Sequence, residues 1–343
     1  MIKPASFIYL ITRVHGLKTH LLTPSDITTL ARAPSFDAFI EGLMRGEYSK
    51  RISLISGVKL TSRVLNRIFA ETYFERLYYL IKLAGGEVKK FIMGFASRAE
   101  IENIKRVMRA KMGGRKITIE DLIPIPRGYT LINFSAMIEA PTLDEALSLL
   151  SFTIYRNVVD HLPTAYKMKS TLPLEAYLES VYFSRLMTLS RKLYDSKIVK
   201  SIIGMEADLR NLYFLIGFKL SGVDPSIIES SLITVYYRVT PEMLQSLIRA
   251  RLDVIPEIIS SSAYRQLTEP IMKALETRSV SELEYSISLL FKKYLDSIAT
   301  RNPLGMGYIL WYLYSIEFEY KNLTLIAIGK ELGIPEEQYR LII

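Results

Sequence analysis

The chain has 343 residues, a net charge of +9 and no cysteine, with 49% apolar and 23% charged residues. That composition belongs to a folded globular chain, and the missing cysteine excludes disulfides, thiolate chemistry and cysteine-ligated metals. The longest uncharged run, Asn302 to Ile316, has 15 residues and contains a proline and two glycines; a membrane-spanning helix needs about 18 or more apolar residues.

In chain order the apolar spacing is helical almost throughout. Ile27-Leu30, Phe36-Phe39-Ile40-Leu43 and Leu143-Ala146-Leu147-Leu150 step by three and four, the mark of amphipathic helices. Strand-like alternation is scarce; the best candidate is Lys116-Ile117-Thr118-Ile119. Helix starts are written into Thr23-Pro24-Ser25-Asp26, Ala33-Pro34-Ser35 and Ala140-Pro141-Thr142, where a hydroxyl or a proline opens each segment.

Those segments recur at a fixed period. Ala33-Pro34-Ser35-Phe36-Asp37 matches Ala140-Pro141-Thr142-Leu143-Asp144, and Tyr48, Tyr155 and Tyr264 follow at steps of 107 and 109. Tyr73-Phe74 matches Tyr182-Phe183, with a degraded third copy at Phe291. The strongest recurrence is a polar frame on a helix: an acid, Asn three residues later, Lys eight after the Asn and Gly eleven after it. Its copies are Glu100, Asn103, Lys111, Gly114; Asp208, Asn211, Lys219, Gly222; and Glu319, Asn322, Lys330, Gly333. The asparagines are 108 and 111 residues apart. Landmarks in one order at one spacing indicate an internal triplication. The expected fold is all-α, with three similar helical-bundle domains of about 110 residues, bounded as 1–112, 113–222 and 223–343.

Each unit then reads as a helix after Ala-Pro, a helix around its Tyr, a longer helix carrying Tyr-Phe, and the Asn–Lys–Gly helix. At 100° per residue the acid, the Lys and the apolar positions one and four after the Asn all fall within about 100° of it. The polar trio therefore shares the face that should be buried, where an unpaired group costs about 1–3 kcal/mol. The reading favoured is a structural latch that satisfies neighbouring backbone, since a catalytic set has little reason to recur three times in one chain. Gly at the end of this helix is the expected left-handed stop.

No catalytic, cofactor or metal site is expected. His15, His20 and His161 lack metal-ligand spacing, and Gly329-Lys330 lacks the upstream glycine of a phosphate loop. The charge is uneven: 19 Lys/Arg against 9 Asp/Glu over residues 1–112, 13 against 11 over 113–222, and 12 against 15 over 223–343. A basic first unit could face an anionic partner. At its end and just beyond it Lys105, Arg106, Arg109, Lys111, Arg115 and Lys116 could track phosphates, but the interleaved aromatics that stack bases are missing, and a solvated helix face is favoured.

With these landmarks in place, the chain resembles the C subunit of archaeal A-type and bacterial V-type ATP synthases, a relative of the d subunit of eukaryotic V-ATPases. The resemblance rests on Arg301-Asn302-Pro303-Leu304, Tyr308, Glu317, Glu319, Asn322-Leu323, Ile326, Gly329-Lys330 and Gly333 in the closing segment. It also rests on Glu206, Asp208, Asn211 and Lys219, and on Leu17-Lys18, Leu21-Leu22 and Ala33-Pro34-Ser35-Phe36. Ile316 stands where the family often has Lys. The resemblance implies a pseudo-threefold funnel of three helical domains, peripheral on the cytoplasmic face of the membrane. It would seat the central shaft on the proteolipid rotor ring and transmit torque, as a non-catalytic subunit without cofactor or nucleic acid. The alternative from the residues alone is a helical-repeat adaptor for nucleic acid or protein. A period of about 110 residues counts against it, because solenoid repeats run about 20–50.

Overall fold

The hydroxyls that open the Ala-Pro segments do cap helices in the computed structural model, which describes residues 5–55, 57, 59–126 and 128–343. Thr23 accepts from the Asp26 N–H and starts Pro24–Ala31, Ser35 accepts from Ala38 and starts Phe36–Met44, and Thr142 accepts from Glu145 and starts Leu143–Ser148. Each cap satisfies one of the N–H groups that a helix start leaves unpaired. All regular structure among the described residues is helical. The segment 116–119 forms no strand. Instead the Asp121 carboxylate accepts from the Thr118 N–H at 2.8 Å and its hydroxyl at 3.0 Å, and the chain enters a 3-10 turn at Ile119–Asp121. Four alternating residues without a pairing strand cannot satisfy their backbone, and the local Asp–Thr bonds can.

The three Asn–Lys–Gly helices are Arg98–Met112, Ser196–Leu220 and Met306–Glu331. The Tyr-Phe helices are Ser62–Leu83 and Leu172–Ser190, with Ser281–Arg301 at the degraded third position. The segment around each landmark tyrosine is shorter than expected. Tyr48 precedes Ser49–Ser53, and Tyr155 and Tyr264 precede 3-10 turns at Arg156–His161 and Arg265–Leu267.

The chain divides into two units. One comprises Met1–Lys89 and Tyr294–Ile343, the other Lys90–Lys293. In the first, Met306–Glu331 lies along Ser62–Leu83 in the most extensive helix pair of the molecule and also touches Ala5–Leu17, Pro24–Ala31 and Phe36–Met44. Its sequence explains why. Tyr308, Ile309, Leu310, Tyr312, Leu313, Tyr314 and Ile316 are all buried, and a helix apolar on every side belongs at the centre of a bundle. Trp311 sits at the edge of this cluster, donating its indole N–H to Asp296 at 2.7 Å.

In the second unit, Leu172–Ser190 packs mainly against Ser196–Leu220 and also against Arg98–Met112. Here the interior carries charge. Lys105 meets Glu179 at 2.5 Å and Arg98 meets Glu206 at 2.7 Å, and at the edge the half-exposed Arg109 meets Glu175 at 2.5 Å. Arg210 is held protonated against its own burial by Glu179, Glu206 and Glu284.

Candidate functional site

Within the polar frames the asparagine has the simplest role. Asn103 donates from Nδ2 to the Ile123 carbonyl at 2.9 Å and accepts the Ile123 N–H on Oδ1 at 2.7 Å. Asn211 does the same with Ile233, at 2.9 and 2.8 Å, and Asn322 with Ile342, both at 2.8 Å. An amide side chain offers one donor group and one acceptor side by side, so it can pair both polar groups of a single extended residue. In each copy the residue is an isoleucine 20 to 22 positions further on. Asn211 is fully buried, so truncating it orphans both groups of Ile233. Asn211→Ala is expected to cost about 1–3 kcal/mol, measured by urea or thermal unfolding; unchanged stability would sink this reading.

The acids find a second class of partner that their spacing alone does not explain. Each accepts from the hydroxyl of a landmark tyrosine: Glu100 from Tyr155 at 2.9 Å, Asp208 from Tyr264 at 2.8 Å, and Glu319 from Tyr48 at 2.6 Å. The first two tyrosines lie 55 and 56 residues ahead, and the third lies 271 residues back. The acid of each period is thus bound by the tyrosine of the next, and the third acid by the tyrosine of the first.

Surroundings differ between copies. Asp208 takes three backbone N–H groups, from Tyr237, Arg238 and Val239, beside Tyr264. Burial still raises its pKa, outweighing those bonds. Glu319 accepts from the Leu22 N–H at 2.7 Å and pairs with Arg76 at 2.6 Å. Burial pulls the Arg76 pKa down, but Glu319, with Tyr48 and Tyr312, more than offsets it, so Arg76 keeps its charge. All three tyrosines are pushed up by burial first and by the adjoining carboxylate second, so they stay protonated donors.

The lysines reach out of the helix face and are half-buried, with the stem covered and the ammonium at a carbonyl in two of the copies. Lys219 donates to Ala250 O at 2.7 Å, and Lys111 to Ile138 O at 3.0 Å and to Ala140 O. Lys330 instead lies over the Tyr339 ring, 5.6 Å from its centre. Gly114, Gly222 and Gly333 all have φ between 62° and 67°. The N–H two residues past the cap returns to the helix in every copy: Arg115 to Ala110, Val223 to Phe218 and Ile334 to Gly329. Glycine adopts that left-handed closure without steric cost, although Lys169 and Arg278 stand at left-handed helix ends as well.

The remaining sequence candidates scatter. His15 stacks on Tyr308 and meets the Pro303 carbonyl at 2.8 Å, His20 faces Glu47, and His161 lies against Tyr177 with its pKa lowered by burial. No group of His, Asp and Glu suited to a metal ion occurs among the described residues. Of the six basic residues at 105–116, four are engaged within the fold: Lys105 with Glu179, Arg106 with the Asp121 carbonyl, Arg109 with Glu175 and Lys111 as above. What sequence reasoning missed was the ionic interior around Arg98, Lys105 and Glu179. A carboxylate at helical spacing reads as a solvated face until tertiary structure covers it.

These features define a class: an all-helical scaffold whose recurrent polar residues hold the backbone together. No helix among the described residues is long and apolar enough to cross a membrane. Residues 10–341 match the family described as the ATP synthase (C/AC39) subunit, and the chain belongs to that family, a non-catalytic component of the synthase. Similar proteins include the A-type ATP synthase C subunits of Archaeoglobus fulgidus, 24% identical over 97% of this chain and 95% of that protein, and of Pyrococcus horikoshii, 24% identical over 99% and 91%. The C subunit of the Methanobrevibacter smithii A-type ATP synthase is 27% identical over 78% of this chain and 71% of its own.

Proposed function

We propose that the chain is the socket of an A-type rotary synthase, seated peripherally on the cytoplasmic face of the membrane between the proteolipid rotor ring and the central shaft. In that position it carries torque from ring to shaft when ion flow drives ATP synthesis, and in the opposite direction when ATP drives pumping. The observation that carries this reading, beside the family membership, is the set of three acid–tyrosine bonds. Each links one period to the next, and the last returns to the first. Such a closed succession suits three helical units, residues 1–112, 113–222 and 223–343, disposed about a pseudo-threefold axis as a funnel.

A torque-bearing part must not lose work in bending. Buried, fully paired polar contacts have sharp geometric minima and resist small rotations better than apolar packing alone. The latches Glu100, Asn103, Lys111, Gly114 and their two sets of counterparts supply such contacts at each step. The test is assembly. Detergent-solubilised membranes should yield this chain together with the rotor-ring proteolipid and the shaft subunits, and recovery free of both would reject the proposal.

A further inference from the structure

The helix Ala5–Leu17 buries Phe7, Leu10, Ile11 and Val14 and leaves its other face outside. On that face Ile8 and Tyr9 are each 54% exposed, and Thr12, Arg13 and Gly16 are exposed with them. At 100° per residue Tyr9, Thr12, Arg13 and Gly16 fall within about 100° of one another, so they form one strip.

Arg13 differs from an ordinary surface arginine because it is held. Its Nη2 donates to the Tyr79 hydroxyl at 2.5 Å, and its guanidinium carbon lies 5.7 Å from the centre of the same ring. Tyr79 belongs to Ser62–Leu83, so the side chain is tied to a second helix. A free arginine side chain gives up rotamer freedom when it binds, and this one has given up much of it on folding. The bond to Tyr79 uses one of its five N–H groups, and the planar fork stays open to an anion.

The surroundings do not supply that anion. Ala5–Leu17 contains no acid. The hydrogen bond to Tyr79 raises the Arg13 pKa most, the charges of Tyr79 and Tyr9 add to it, and no carboxylate among the described residues contributes. Glu71 and Glu75 on the second helix pair with Arg67 and Arg51, Glu319 pairs with Arg76, and Asp296 takes the Trp311 indole. Lys82, three positions beyond Tyr79, is exposed. The strip is therefore cationic without being polybasic. Anionic bilayers and nucleic acids are held by many basic residues acting together. One oriented arginine beside exposed tyrosine and isoleucine has instead the make-up of an anchor between proteins, where Tyr and Arg carry much of the binding.

We infer that Arg13, oriented by Tyr79 and flanked by Tyr9 and Ile8, binds a carboxylate on another protein subunit of the synthase. The inference rests on the socket reading above. Its test uses Arg13→Gln and Arg13→Lys, each in the full chain co-expressed with the remaining subunits. Both should melt at the wild-type temperature, because the side chain is exposed. Arg13→Gln should be recovered in the assembled complex at least about tenfold less well. Arg13→Lys should keep part of the recovery, since an ammonium retains the charge and loses the fork. The amine it introduces should be joined by a water-soluble carbodiimide to an aspartate or glutamate of another subunit, identified by mass spectrometry. Wild-type recovery of Arg13→Gln, or carbodiimide products of that amine confined to this chain, would overturn the inference while leaving the socket reading intact. So would salt-sensitive binding of the wild-type chain to phosphatidylglycerol vesicles that Arg13→Gln abolishes, which assigns the arginine to lipid. Failure of the wild-type chain to assemble would overturn both.

Discussion

Glu319→Ala should destabilise the unit formed by Met1–Lys89 and Tyr294–Ile343 by about 3–5 kcal/mol, more than Asp208→Asn costs the other unit. The reason lies in the partners. Glu319 holds the Tyr48 hydroxyl, the Leu22 N–H and the Arg76 guanidinium, and the Arg76 and Glu319 side chains are only 12% and 4% exposed. Removing the carboxylate leaves a guanidinium in the interior with its principal counter-charge gone, and an uncompensated buried charge is the costly outcome of breaking a buried pair. Asp208 has no cation among its hydrogen-bond partners; its donors are three N–H groups and a hydroxyl. Asp208→Asn keeps an acceptor oxygen and relieves the desolvation that raises its pKa, so a smaller loss is expected. Urea unfolding of the two variants checks the order, and Asp208→Asn costing more than Glu319→Ala would reverse the argument.

Glu179→Gln should cost about 3 kcal/mol or more at neutral pH and flatten the acid limb of the stability profile. Lys105 is buried, and Glu179 is its closest counter-ion, with Glu102 at 3.1 Å as a second, more exposed one. Burial pushes the Glu179 carboxyl up, but Lys105, Arg210 and Arg98 together hold it below its ordinary 4.5. An acid whose folded pKa is depressed contributes its stability in full above the unfolded value, and that contribution is lost as the pH falls through the folded one. The wild-type chain should therefore lose stability from about pH 4.5 downward on account of Glu179, and the glutamine variant should lack that component. Replacing both partners, as Lys105→Met with Glu179→Leu, should recover only part of that loss, because Lys105 no longer needs a counter-ion but the buried Arg210 still loses Glu179. Stability measured by denaturant titration between pH 3 and 7 (about the carboxylate range) separates these outcomes, and parallel profiles for wild type and Glu179→Gln would refute the assignment.

The period was legible because helix starts and stops are local chemistry. A hydroxyl reaches an N–H three residues away, and a left-handed closure favours glycine at one position, so Thr142, Ser35 and Gly222 announce themselves without the rest of the chain. The burial of Asn211 followed from helical geometry in the same way. The short 3-10 pieces after the landmark tyrosines were not legible, because their length is set by where the tyrosine must stand to reach its acid. The ionic interior was hidden for a related reason. Glu179 and Lys105 are 74 residues apart, and nothing local distinguishes them from solvated helix charges.

By itself the sequence determined that the chain is all-helical, that its polar frame recurs three times and where each such helix stops. Tertiary structure alone decided what the frame holds. The acids bind tyrosines at separations of 55, 56 and 271 residues, and a contact across such distances depends on how helices pack. The same division applies to Glu319, Asn322, Lys330 and Gly333. Their spacing follows from the 3.6-residue turn, whereas the pairing of Glu319 with Tyr48 and Arg76 exists only because the helix Met306–Glu331, whose first half is apolar on every side, is buried among the first helices of the chain.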